Sequence, residues 1–99
     1  MSGFRHVAMF KWVEGTTTGQ QDEVAAKLGE LPGLIPEIKV YSTGVNAGVN
    51  PGGYEFAIVA DFADRDAYLV YRDHPAHRAV LDEFITPIVA ERAAIQYEM

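Results

Sequence analysis

The sequence has 99 residues, a formal net charge of -6 and no cysteine, enough chain for one domain over residues 1–99 and no disulfide to staple it. No cluster of Lys and Arg is present to meet phosphates or an anionic bilayer, and no apolar run approaches the roughly 18 residues of a membrane span. Nucleic-acid and membrane partners are therefore not expected. The start, Met1-Ser2-Gly3-Phe4-Arg5-His6, lacks the layout of a secretory signal, and with the missing cysteines this points to a cytoplasmic protein. So small a domain buries only about 60–65% of its unfolded surface, so a second copy of the chain is the obvious further source of stability.

Phe4 to Val13 alternates two sets of residues, Phe4, His6, Ala8, Phe10 and Trp12 against Arg5, Val7, Met9, Lys11 and Val13. Both sets are largely apolar, which predicts a strand covered on both faces. A capping box, Thr17 with Gln20 or Thr18 with Gln21, then opens a helix on which Val24, Leu28 and Leu31 recur at helical spacing. Pro32-Gly33 stops it, and Gly29 inside it suggests a close neighbour. Ile38 to Val45 reads as a second strand, residues 46–53 as a Gly- and Asn-rich loop, and Tyr54 to Phe62 as a third strand. Asp64-Arg65-Asp66 opens a second helix running to about Arg72. His74 is forced out of helical geometry by Pro75, which starts a further helix that ends at Thr86-Pro87. Arg92 to Tyr97 reads as the last strand.

The order is β-α-β-β-α-β with a broken second helix: a ferredoxin-like α+β fold whose antiparallel four-stranded sheet carries its helices on one face. The other face, with Val7, Met9, Ala57 and Val59, is left bare, which predicts a homodimer made by packing two sheets into a dimeric α/β barrel.

Three segments carry a family resemblance: Arg5-His6-Val7-Ala8-Met9-Phe10-Lys11-Trp12, Leu31-Pro32-Gly33-Leu34-Ile35-Pro36, and Tyr71-Arg72-Asp73-His74-Pro75-Ala76-His77. In this order they resemble the stress-responsive dimeric α/β-barrel family, whose His-Pro-x-His segment is a hallmark. The resemblance implies the fold and the dimer. A plant polyketide cyclase of that family is similar, and its catalytic tyrosine and histidine match Tyr71 and His77; a further histidine near its start matches His6.

Independently of that likeness, His77 falls on one stripe with Val80, Leu81 and Phe84. Burial and the positive end of its helix would keep the imidazole neutral, as a general base requires. Tyr71, on the face of Ala67 and Val70, would offer a phenol to a substrate carbonyl oxygen. Phe4, Phe10, Phe56, Val80, Leu81 and Phe84 would wall a pocket for a small apolar or phenolic ligand. Three readings stand side by side: satisfied core residues, a ligand pocket, or acid–base catalysis of cofactor-free proton transfer, aldol-type cyclisation or isomerisation. A non-enzymatic stress-related binding or structural role, and a cofactor-free monooxygenase-like activity by fold analogy, are the alternatives. His74-x-x-His77 with His6 would supply three imidazoles, but Pro75 breaks the helical register and no nearby carboxylate completes a motif. No metal site and no cofactor are expected.

Overall fold

The computed structural model describes residues 3–99. The elements are β1 (Phe4–Trp12), α1 (Thr18–Gly29), β2 (Val40–Val45), β3 (Phe56–Phe62), α2 (Arg65–Asp73), α3 (Pro75–Val80) and β4 (Val89–Glu98). The strands form one antiparallel sheet in the order β2-β3-β1-β4. The helices pack on one face of it, which is the ferredoxin-like α+β arrangement expected from the element order.

The alternation along β1 decides which face is which. Phe4, His6, Ala8, Phe10 and Trp12 are buried, whereas Arg5, Val7, Met9 and Lys11 are half-buried. On β3 the matching set is Phe56, Ile58, Ala60 and Phe62. Against this face α1 sets Val24 and Leu28, and Leu31, Ile35 and Ile85 close the core around them. Trp12 belongs to this core, stacked on Phe10 with ring centroids 5.6 Å apart.

At the start of α1 the Thr17 hydroxyl accepts from the Gln20 N–H at 3.1 Å, and the Gln20 side chain accepts from the Thr17 N–H at 2.9 Å. Two otherwise orphaned backbone donors are thereby satisfied. Thr17→Ala is expected to cost about 1 kcal/mol, read as a lower urea midpoint with an unchanged slope.

Several boundaries differ from the sequence expectation. Helix α1 stops at Gly29, and Pro32-Gly33 belongs to a separate 3₁₀ turn, Leu31–Gly33. A Cβ added at Gly29 would meet nothing within 4 Å, so no close neighbour explains that glycine. Ile38 donates to the Ile35 carbonyl at 3.1 Å and so stays in the turn before β2. Helix α3 passes into a π turn, Leu81–Ile85, in which the Thr86 N–H reaches back to the Leu81 carbonyl at 2.7 Å. Strand β4 starts at Val89 rather than Arg92, because β1 offers it partners from Trp12↔Val89 to Phe4↔Glu98.

The face away from the helices carries Val7, Met9, Ala57 and Val59 together with Ile95 and Tyr97 of β4, which are 60% and 43% exposed. Among these apolar groups lies one bidentate ion pair, Arg5 Nε and Nη2 to the Asp61 carboxylate at 2.7 and 2.8 Å. The guanidinium holds the Asp61 carboxyl below its usual range.

Candidate functional site

The site is built where the sheet is lined with small residues. On the helix side of β1 and β4, successive cross-strand pairs are His6↔Gln96, Ala8↔Ala94 and Phe10↔Arg92. The two alanines leave a hollow between the larger pairs at either end. Tyr68, Tyr71 and Arg72 of α2 and His77, Arg78 and Leu81 of the α3 region roof it over. The resulting cavity has a volume of about 220 Å³ and also touches Ile58 of β3.

The break between α2 and α3 positions His77. His74 is extended, with ψ 135°, as a residue before proline must be. Its Nδ1 accepts from the Ala76 N–H at 3.0 Å and so caps α3. This is a local structural role. Among the described residues no three metal-ligating side chains converge. The chain reversal brings His77 back over the end of α2, where its Nδ1 donates to the Arg72 carbonyl at 3.0 Å. That carbonyl is in the last turn of α2 and lacks an onward helical partner. The bond places the proton of the neutral ring on Nδ1 and leaves a lone pair on Nε2.

His77 is 7% exposed. Burial lowers its pKa, the Arg72 carbonyl works against that shift, and the Arg78 guanidinium adds to it. The positive end of α3, expected to contribute, is a helix of only six residues. Burial and a neighbouring cation do the work instead.

Tyr71 is 1% exposed and lies against His77, with ring centroids 4.1 Å apart. It shares the buried face of α2 with Ala67 and Tyr68, not with Val70, which points outward at 45% exposure. Its hydroxyl lies 3.1 Å from that of Tyr41 on β2. Burial raises both phenols, Tyr41 to about 12 and Tyr71 further. Both are therefore protonated donors at neutral pH.

At the other end, Gln96 Nε2 donates to His6 Nδ1 at 2.9 Å, so the neutral His6 carries its proton on Nε2. Tyr68 lies tilted against His6, with ring centroids 5.1 Å apart, and His6 and Tyr71 are 6.0 Å apart by ring centroids. Burial, helped by His77, pulls the His6 pKa down to about 4. Since the unfolded chain binds this proton near pH 6.5, the folded state loses stability as pH falls from 6.5 towards 4 and loses no more below that. A drop of about 3 kcal/mol over this window is expected from His6. Replacing His6 by Gln should flatten the acid limb of unfolding free energy against pH.

The structure thus gathers His6, Tyr71 and His77 around one cavity. Of the expected walls, Phe10 and Leu81 line it. Phe4, Phe56 and Val80 lie in the packed core beside it, and Phe84 is half-buried under the Lys27 ammonium, 5.6 Å from its ring centroid. They fall outside the lining because the alanine hollow sits between β1 and β4, whereas these side chains fill space elsewhere under the helices. Tyr41, Tyr68, Gln96 and three arginines were not anticipated. Only Arg92 and Gln96 left a trace, by sharing an alternation phase with Ala94 in the last strand.

A ferredoxin-like α+β domain with a histidine–tyrosine cavity under a broken helix is the class this geometry defines. The chain belongs to the stress-responsive A/B barrel domain family, whose profile matches residues 4–99. It is 30% identical over 92 residues to an uncharacterised protein of Streptomyces coelicolor, covering 88% of this chain and 95% of that one. A dimeric ferredoxin-like protein of unknown function from Thermobifida fusca is 42% identical, with a TM-score of 0.91 over 99% of this chain and 92% of that one. A hydroxynitrile lyase from Passiflora edulis is similar in fold, with a TM-score of 0.86 at 21% identity, covering 98% of this chain and 93% of that one.

Proposed function

We propose that this protein is a cytoplasmic homodimer, joined through its sheet faces, in which each protomer holds a small apolar pocket for cofactor-free proton transfer next to a carbonyl group. The observation that carries the reading is the bond from His77 Nδ1 to the Arg72 carbonyl, which leaves Nε2 as a free base in a cavity beside Tyr71. In this mechanism Nε2 takes a proton from the carbon next to the substrate carbonyl. The imidazolium that forms is stabilised by the Arg72 carbonyl at the negative end of α2. Tyr41 donates to the Tyr71 oxygen, and Tyr71 turns its own O–H to the developing enolate. The enolate then closes on a second carbonyl, as in an aldol-type cyclisation, or is reprotonated elsewhere, as in an isomerisation. The resemblance of the His-Pro-x-His segment to plant polyketide cyclases supports this reading, since it implies corresponding roles for Tyr71, His77 and His6.

The dimer rests on the apolar sheet face and on the dimeric description of the Thermobifida fusca relative. The test is a set of β-oxo and phenolic ketones incubated in deuterium oxide. Protein-dependent deuterium uptake at the carbon next to a carbonyl, rising with pH through the depressed His77 titration, is the expected result. Saturable binding without any uptake would replace the enzyme by a non-catalytic binding protein.

A further inference from the structure

The chain carries a formal charge of -6, and only five of its residues are arginines. Three of those five, Arg72, Arg78 and Arg92, line the single cavity that also holds His77, and no Asp or Glu lines it. An acidic protein has thus placed three of its eight Lys and Arg residues around one small hollow.

The three guanidiniums are not equivalent. Arg72 is occupied, with Nε and Nη2 at 2.9 and 3.1 Å from the Asp73 carboxylate. Among the described residues neither Arg78 nor Arg92 makes an ion pair or a side-chain hydrogen bond. Arg92 extends from β4 over Phe10, its guanidinium carbon 5.8 Å from the ring centroid. Arg78 follows His77 on α3, so the two arginines approach the cavity from sheet and roof. Ala8, Phe10, Ile58 and Leu81 supply the apolar lining between them.

We propose that the cavity selects a small monocarboxylic acid, with the carboxylate held by Arg78 and Arg92 at the mouth and the apolar or aromatic body seated between Ala8, Ile58 and Leu81. The inference rests on the reading of the cavity as a ligand site and specifies what it takes. An unpaired guanidinium offers a planar fork of donors that matches a carboxylate. A hollow of about 220 Å³ compares with the roughly 150 Å³ that hold a benzene molecule in an apolar cavity, which scales to a ligand of about nine non-hydrogen atoms. A carboxylate anchored at the mouth would direct a neighbouring carbonyl inward, towards His77 Nε2. Oxo acids and hydroxyaromatic acids of this size meet both requirements.

The test titrates the protein with benzoate, salicylate and acetoacetate, each against its own amide, following the His77 ring signals by NMR. Acid and amide have the same shape and differ in charge. The acids are expected to move the His77 signals and to bind at least tenfold more tightly than the amides, with a preference that shrinks as salt rises. Arg78→Gln and Arg92→Gln should each reduce the preference and together remove it. Arg65→Gln should leave it, because that arginine lies outside the cavity, beside Glu98 at 3.9 Å. All three positions are exposed, so the variants should fold. Equal binding of acid and amide, or a preference that survives in the double variant, would overturn the charge selection while leaving the ligand site standing. Silence of the His77 signals towards every acid would also overturn it. Deuterium uptake by the unmodified protein then reports separately on His77 as a base.

Discussion

Val59→Asp is expected to convert a dimer, twice the 10.9 kDa chain, into a folded monomer. Val59 lies at the middle of β3, opposite Val7 on one side and Ser42 on the other, and points away from the helices. In a single protomer it is half-buried, so an aspartate there keeps access to water. Between two packed sheets that access is lost. The two-fold symmetry of a sheet-to-sheet dimer brings in one such carboxylate from each protomer. Burying an unpaired charge costs several kcal/mol even after the surroundings relax, enough to abolish association at micromolar concentration. The neighbouring residue supplies the control. Ile58 is 2% exposed on the helix side, and Ile58→Asp should prevent folding altogether. Sedimentation equilibrium with circular dichroism distinguishes the outcomes. A Val59→Asp protein that remains dimeric with unchanged stability would show that the sheet face is not the interface.

The second large effect concerns His77. His77→Asn is expected to lower proton-transfer turnover by about 10²- to 10⁴-fold, the usual contribution of a positioned general base. Asparagine is chosen because its amide N–H can take over the bond to the Arg72 carbonyl, which His77 Nδ1 makes at 3.0 Å. Alanine would also strand that carbonyl at the end of α2, so a loss of activity would be confounded with a larger loss of structure. Asparagine keeps the bond at the helix junction and removes the Nε2 lone pair together with the ring that stacks on Tyr71. The melting temperature should fall less than with alanine while the rate collapses. Wild-type rates in His77→Asn would remove the imidazole from the mechanism. Tyr71→Phe gives a graded companion. It removes the donor facing the enolate and also breaks the contact with Tyr41, so a smaller rate loss is expected together with some loss of stability.

Much of this architecture was legible from local pattern alone. The two-residue alternation of Phe4 to Trp12 separates the helix face from the open face, because a strand can present its side chains in only two directions. The capping box at Thr17 and Gln20 marks the start of α1 within a residue, since it needs only groups three positions apart. The His74-Pro75 break is equally local, whereas the return of His77 over the end of α2 shows only in the structure. Boundaries that depend on a partner were less legible. The early start of β4 at Val89 reflects the length of β1, and the π turn after Val80 is invisible in a pattern with ordinary helical spacing.

The sequence by itself determined the fold class, the two faces of the sheet and the three residues that meet at the cavity, because each is written in short-range spacing or in a recognisable segment. Only the tertiary structure decided where the cavity lies and what lines it. Ala8 and Ala94 make the hollow by standing opposite each other on strands that begin 85 positions apart (Phe4 and Val89). Tyr41 reaches Tyr71 across 30 positions, and Gln96 reaches His6 across 90. Such contacts arise from strand order and register, which no local pattern encodes. They place the proton of His6 on Nε2 and gather three arginines of an acidic chain around one small cavity.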